Sequence, residues 1–158
     1  MTNIQSKLIS IQTELKAPKN LYNSFGKYKY RNAEGICEAV KPYLSKHNVS
    51  LTISDDIVEV GGRIYVKATA TLSDGSTDGS VSVTAYAREA DDKKGMDAAQ
   101  VTGATSSYAR KYALNGLFLL DDTKDVDSEE YQSQAKQGAK KATPAPAQND
   151  DRLPWELG

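Results

Sequence analysis

The sequence is poor in the residues that most catalysis and most anchoring need. One cysteine, Cys37, stands in 158 residues, so no internal disulfide can form and nothing calls for an oxidising compartment. One histidine, His47, has no second imidazole to work with and reads as an ordinary residue at a helix end. CxxC pairs and a phosphate-cradling GxxxxGK loop are both missing. So are an N-terminal apolar segment of the signal type and any apolar run long enough to cross a bilayer. The expectation is a soluble intracellular protein in a reducing compartment, with no membrane partner, in which the sequon at Asn48 is a chance match.

Carboxylates are present but scattered. The acidic run Asp121–Glu130 departs from the calcium-loop pattern, with Val126 where the turn glycine belongs. An enzyme would have to assemble its site from residues such as Asp55, Asp56 and Asp97. The expectation is therefore a protein that is not an enzyme and uses no cofactor or metal.

What is present is charge in an uneven layout. Residues 1–120 hold 15 Lys plus Arg against 12 Asp plus Glu, whereas residues 121–158 hold 5 against 9. A mildly basic body with an acidic tail fits a nucleic-acid handler once motifs support it. The division expected is a domain over 1–125 and a disordered acidic tail over 126–158. Residues 132–149, rich in Gln, Ala, Lys, Pro and Thr, lack a hydrophobic period and form the linker.

Within the body, Ile4, Leu8, Ile11 and Leu15 fall on one stripe of a helix capped by Thr2 or Asn3. A second helix starts at Asn32, with Ile36, Val40, Tyr43 and Leu44 inward and Pro42 expected to kink or restart it. From residue 50 the period changes to two. "LTISDDIVEV", "RIYVKATATL" and "SVSVTAYAR" read as three antiparallel strands, joined by a tight turn at Gly61 and Gly62 and a looser one at "DGSTDGS". The alternation breaks at Asp55 and Asp56, where a bulge or bend is expected. A last helix spans about Met96 to Leu114, with Val101, Thr105, Tyr108 and Tyr112 on one stripe, small residues on another for close packing, and Gly116 as its stop. The fold expected is α+β, an antiparallel meander of three or more strands packed on helices, in the order β-β-β-α.

Three stretches place tyrosine beside cations. "FGKYKYRN", read as extended, sends Lys27, Lys29 and Arg31 to one side and Tyr28 and Tyr30 to the other. One sheet face would carry Tyr65, Lys67, Tyr86 and Arg88, and the last helix carries Tyr108, Arg110 and Lys111. Any one patch could be a solvated edge over core rings. Repeated, they match the way single-stranded nucleic acid is held, with cations along phosphates and rings against bases.

"MDAAQVTGATSSYARKYALNGLFLLDDTKD", residues 96–125, and "YKYRNAEGICEAVKPYLSKHNV", residues 28–49, resemble the ERF (essential recombination function) family of phage single-strand annealing proteins, over roughly residues 5–125. The resemblance implies a protein of the bacterial cytoplasm that binds single-stranded DNA, anneals complementary strands without ATP and forms homo-oligomeric rings or filaments on a β-β-β-α core. It implies DNA contact or structural importance for Tyr108, Arg110 and Lys111, and for residues 27–31. At this length a separate C-terminal assembly domain is not expected. The tip, Asp150, Asp151, Pro154 and Trp155 in "DDRLPWE", resembles the acidic ends by which bacterial single-stranded-DNA-binding proteins recruit partners. The partner there would be a host replication or repair protein or a phage exonuclease; alternatively the tail competes with DNA. Two other functions are compatible with these residues: a binding protein that protects single strands without annealing them, and a magnesium-dependent nuclease using the scattered carboxylates.

Overall fold

The computed structural model describes residues 3–91 and 93–120. The acidic run, the linker and the tip with Asp150, Asp151, Pro154 and Trp155 lie outside the described residues. Every described residue lies within the compact unit Met1–Asp121.

Helix α1 (Ile4–Glu14) is capped by Asn3, whose side chain accepts from Ser6 N. It buries Ile4, Ile11 and, just past its end, Leu15, as its apolar spacing predicts. A short hairpin follows, β1 (Leu21–Asn23) and β2 (Tyr28–Tyr30), paired antiparallel with Leu21 opposite Tyr30 and Asn23 opposite Tyr28. Helix α2 (Ala33–His47) is capped by Asn32 and runs unbroken through Pro42. The expected restart at Pro42 is thus corrected. Pro42 faces solvent, where water can satisfy the carbonyl that the missing N–H leaves free. Tyr43 Oη donates to Glu14 O at 3.1 Å and Lys46 Nζ pairs with Glu14 at 2.8 Å, fastening α2 to α1.

The strands β3 (Ser50–Val60), β4 (Arg63–Ser73) and β5 (Ser80–Arg88) form the meander, in the order β3-β4-β5. Gly61 and Gly62 both have positive φ, 59° and 75°, as a two-residue hairpin turn requires. Pairing between β3 and β4 is one to one from Ser50↔Ser73 to Val60↔Arg63, so the bulge expected at Asp55 and Asp56 is absent. The break in alternation has another cause. The register puts Asp55 on the same face as Leu51, Ile53, Val66, Ala68, Ala70 and Leu72, so an acid occupies a core-side position of an edge strand.

Helix α3 (Ala98–Phe118) lies across β4 and β5 on that face. It starts at a capping box, Asp97 with Gln100, and ends with Leu119 in the left-handed region. Gly116 is not its stop. A Cβ there would sit 2.9 Å from Val83 Cγ1, so the glycine lets the helix approach β5 closely. The inward face is Val101, Thr105, Ala109, Ala113, Leu114, Leu117 and Phe118. This corrects the expected stripe: Tyr108 and Tyr112 stand beside the buried face, since Ala109 and Ala113 are the residues small enough to seat the helix on the sheet. At Gly103, by contrast, nothing approaches within 4 Å of a Cβ. Each large apolar side chain buried here contributes about 1.5–3 kcal/mol.

Candidate nucleic-acid interface

The hairpin is where the extended ribbon was expected, but it is shorter. Only residues 28–30 pair as strand. Lys27 falls in the turn at φ 54°, so the three cations do not share one row. The alternation survives within the strand: Tyr28 and Tyr30 lie on one face, with ring centroids 6.1 Å apart in an edge arrangement, and Lys29 is exposed on the other. Arg31 Nε donates to Ala17 O at 2.9 Å, tying the hairpin root to the chain leaving α1.

The tyrosine face of the hairpin meets α3. Lys111 Nζ lies 5.4 Å from the ring centroid of Tyr108, 5.7 Å from that of Tyr112 and 6.0 Å from that of Tyr30, within reach of cation–π attraction. Burial pushes the Tyr108 phenol up to about 12, and the neighbouring Tyr28, Tyr112 and Tyr30 push the same way. Burial also lowers the Lys111 ammonium, helped by the positive charges of Arg31 and Lys19. A half-buried cation among rings, with Arg31 and Lys19 near it, places positive charge beside aromatic faces, the combination that suits a phosphate next to a base. Lys19 was missed in the sequence because it is alone between Pro18 and Asn20; only the folding of α1's exit beside the hairpin brings it here. At the hairpin root a cavity of about 430 Å³ opens between Pro18, Leu21 and the first turns of α2, with Arg31 on its wall.

Arg110 is engaged elsewhere. Its Nε and Nη2 donate to the Asp55 carboxylate at 3.0 and 3.1 Å, and Ser106 Oγ donates to the same carboxylate at 2.5 Å. Burial pushes the Asp55 carboxyl up, but the hydrogen bonds from Arg110 and Ser106 and the guanidinium charge outweigh it and hold it below its ordinary value. The spacing of Ser106 and Arg110, one helical turn, presents both donors to one acid. This pair clamps α3 to the edge strand β3.

The sheet patch is real but lies apart. Tyr65 stands opposite Arg88, and Lys67 opposite Tyr86, on the face turned away from α3. Lys67 Nζ is 6.0 Å from the Tyr86 centroid, Asp56 is its cross-strand neighbour, and Arg88 pairs with Asp91 at 3.8 Å. The structure thus brings Tyr28, Tyr30, Tyr108 and Lys111 together, leaves Lys27 and Lys29 exposed on the same hairpin, and separates Tyr65, Lys67, Tyr86 and Arg88 onto the opposite side of the sheet. Among the described residues no group of His, Cys, Asp or Glu is placed to hold a metal ion, and no helix is long and apolar enough to cross a membrane.

The profile of the ERF superfamily matches residues 4–153. The essential recombination function protein of Salmonella phage P22 is 58% identical over 149 residues, covering 90% of this chain and 71% of that protein. No solved structure matches significantly.

Proposed function

Because the chain belongs to the ERF superfamily, we propose that it acts in phage recombination by binding single-stranded DNA and annealing complementary strands, without ATP and as a homo-oligomer. The observation that carries this reading is the meeting of the hairpin with α3, which gathers the rings of Tyr30, Tyr108 and Tyr112 around Lys111, with Tyr28 beside Tyr30, and sets Lys19 and Arg31 near it. Cations for phosphates next to rings for bases form the combination that holds a single strand with little regard to sequence. A strand held by its backbone keeps its pairing edges available to a second strand. Duplex formation then supplies the free energy, so no bond to the protein is made and no cofactor is consumed.

Two complementary labelled strands test this directly. Annealing should accelerate in proportion to the protein bound, and binding should weaken steeply as salt rises, because counterion release drives it. Slower annealing in the presence of protein would show a protecting protein instead. Strand loss that depends on magnesium would show a nuclease.

A further inference from the structure

The tip of the hairpin carries a ring that the fold does not use. Phe25 is 77% exposed and Tyr22 is 59% exposed, so neither contributes much to the core. Yet the backbone that presents Phe25 is tightly held. Asn23 Oδ1 accepts from both Phe25 N and Gly26 N at 3.0 Å, and Asn23 Nδ2 donates to Tyr28 Oη at 3.2 Å. Gly26 sits against the Tyr28 ring so closely that a Cβ would fall 2.3 Å from Cε1. Lys27 completes the turn at φ 54°, a conformation that a lysine adopts at some cost. The hairpin thus spends an Asx turn, a required glycine and a left-handed lysine on aiming one phenyl ring at solvent.

Its neighbours say what the ring meets. Lys27 follows it by two residues, and Tyr22 shares the outer ribbon face with its cross-strand partner Lys29. Lys111 lies over the Tyr30 ring of the same hairpin, with Arg31 and Lys19 near it. An exposed ring flanked by cations suits a polyanion with flat apolar units better than an apolar protein surface.

We propose that Phe25 is a wedge that stacks on an unpaired base of single-stranded DNA, with Lys27 and Lys29 on the adjoining phosphates and Tyr22 offering a second ring. This rests on the nucleic-acid reading above and adds residues that reading did not need. By taking a place in the base stack, the ring interrupts it and turns neighbouring bases outward, ready to pair.

The test compares wild type with Phe25→Ala on two strands of equal length, oligo-dT and a fully abasic strand of the same phosphate count. Losing one stacked base costs about fivefold to a hundredfold in affinity. Phe25→Ala should lose that on oligo-dT and bind the abasic strand within about twofold of wild type. A second variant uses the fact that Trp155 is the chain's single tryptophan: Phe25→Trp in a Trp155→Phe background should keep its affinity and show fluorescence quenched by oligo-dT but not by the abasic strand. Equal binding of both strands by wild type and Phe25→Ala would overturn the wedge, as would equal losses on both. So would a change in oligomeric mass with DNA affinity intact, which would make the tip a contact between copies. If wild type binds neither strand, the parent reading has failed, and that outcome differs from wedge failure, in which wild type binds normally.

Discussion

Lys29 and Arg110 stood as equals in the sequence, both cations near a tyrosine, and the fold gives them different work. Lys29 projects from the exposed face of β2, so Lys29→Ala should weaken binding about equally for all single-strand sequences and reduce the slope of log affinity against log salt by about 1. A filter-binding series in salt reads both quantities. Arg110 is held by Asp55, 55 residues away in the chain, a distance that no periodicity can bridge. The clue was nonetheless present: an acid at a position on the core-side face of the strand, where the broken alternation read as a bulge or bend. In the folded chain the Asp55 carboxyl lies below its ordinary value, so the clamp's stabilisation is complete above about pH 4 and is lost as pH falls through the folded value. With the pair partly exposed, at 41% for Arg110 and 24% for Asp55, solvent screening limits the contribution to about 1 kcal/mol. Asp55→Asn should therefore be less stable than wild type by about that amount near neutral pH. In urea melts the gap should close progressively below about pH 4.

At the scale of elements, the long strands and helices were legible because their periods repeat over many residues. β5 was read with its observed bounds, 80–88, and β3 and β4 to within one residue. The hairpin was not, since three-residue strands give a period-2 pattern too little length, and its partner strand Leu21–Asn23 carries no alternating signal of its own. Gly116 shows the same limit for helices. Near the end of an apolar stripe a glycine reads as a stop, and only the approach of β5 reveals that it is a close contact. Gly116→Ala should gain about 1 kcal/mol of helix propensity and lose about 1–3 kcal/mol by forcing Val83 aside. The net expectation is a loss of about 1 kcal/mol, a midpoint lower by a few degrees. In a Val83→Ala background, where the offending methyl is gone, the same substitution should be neutral or stabilising. Thermal melts of the four proteins form the cycle, and equal costs in both backgrounds would disprove the contact.

For the whole molecule, the decisive fact is that the three tyrosine-cation stretches fold into two patches, on opposite sides of one sheet. The sequence could count them but could not place them, because whether two patches share a surface depends on what packs between them, and here α3 covers one face only. Their charge environments differ as well. On the uncovered sheet face Lys67 neighbours Asp56 and Arg88 pairs with Asp91, so a phosphate arriving there would compete with carboxylates already in place. Around Lys111 the cations Arg31 and Lys19 lie close by, beside the rings of Tyr30, Tyr108 and Tyr112, so that side gathers positive charge and stacking faces together. A short strand cannot span both sides of the domain, so it should choose the hairpin side. Lys67→Ala with Arg88→Ala is therefore expected to leave the affinity for an oligonucleotide of about ten bases, a length within the site sizes of single-strand binders, within about twofold of wild type. Lys19→Ala with Lys29→Ala should lower it by about tenfold or more at moderate salt, because two phosphate contacts and their counterion release are lost together. Fluorescence anisotropy with one labelled decamer decides between them. If the sheet-face pair lost more than the hairpin pair, the strand would lie on the sheet, and the tyrosines around Lys111 would belong to the fold.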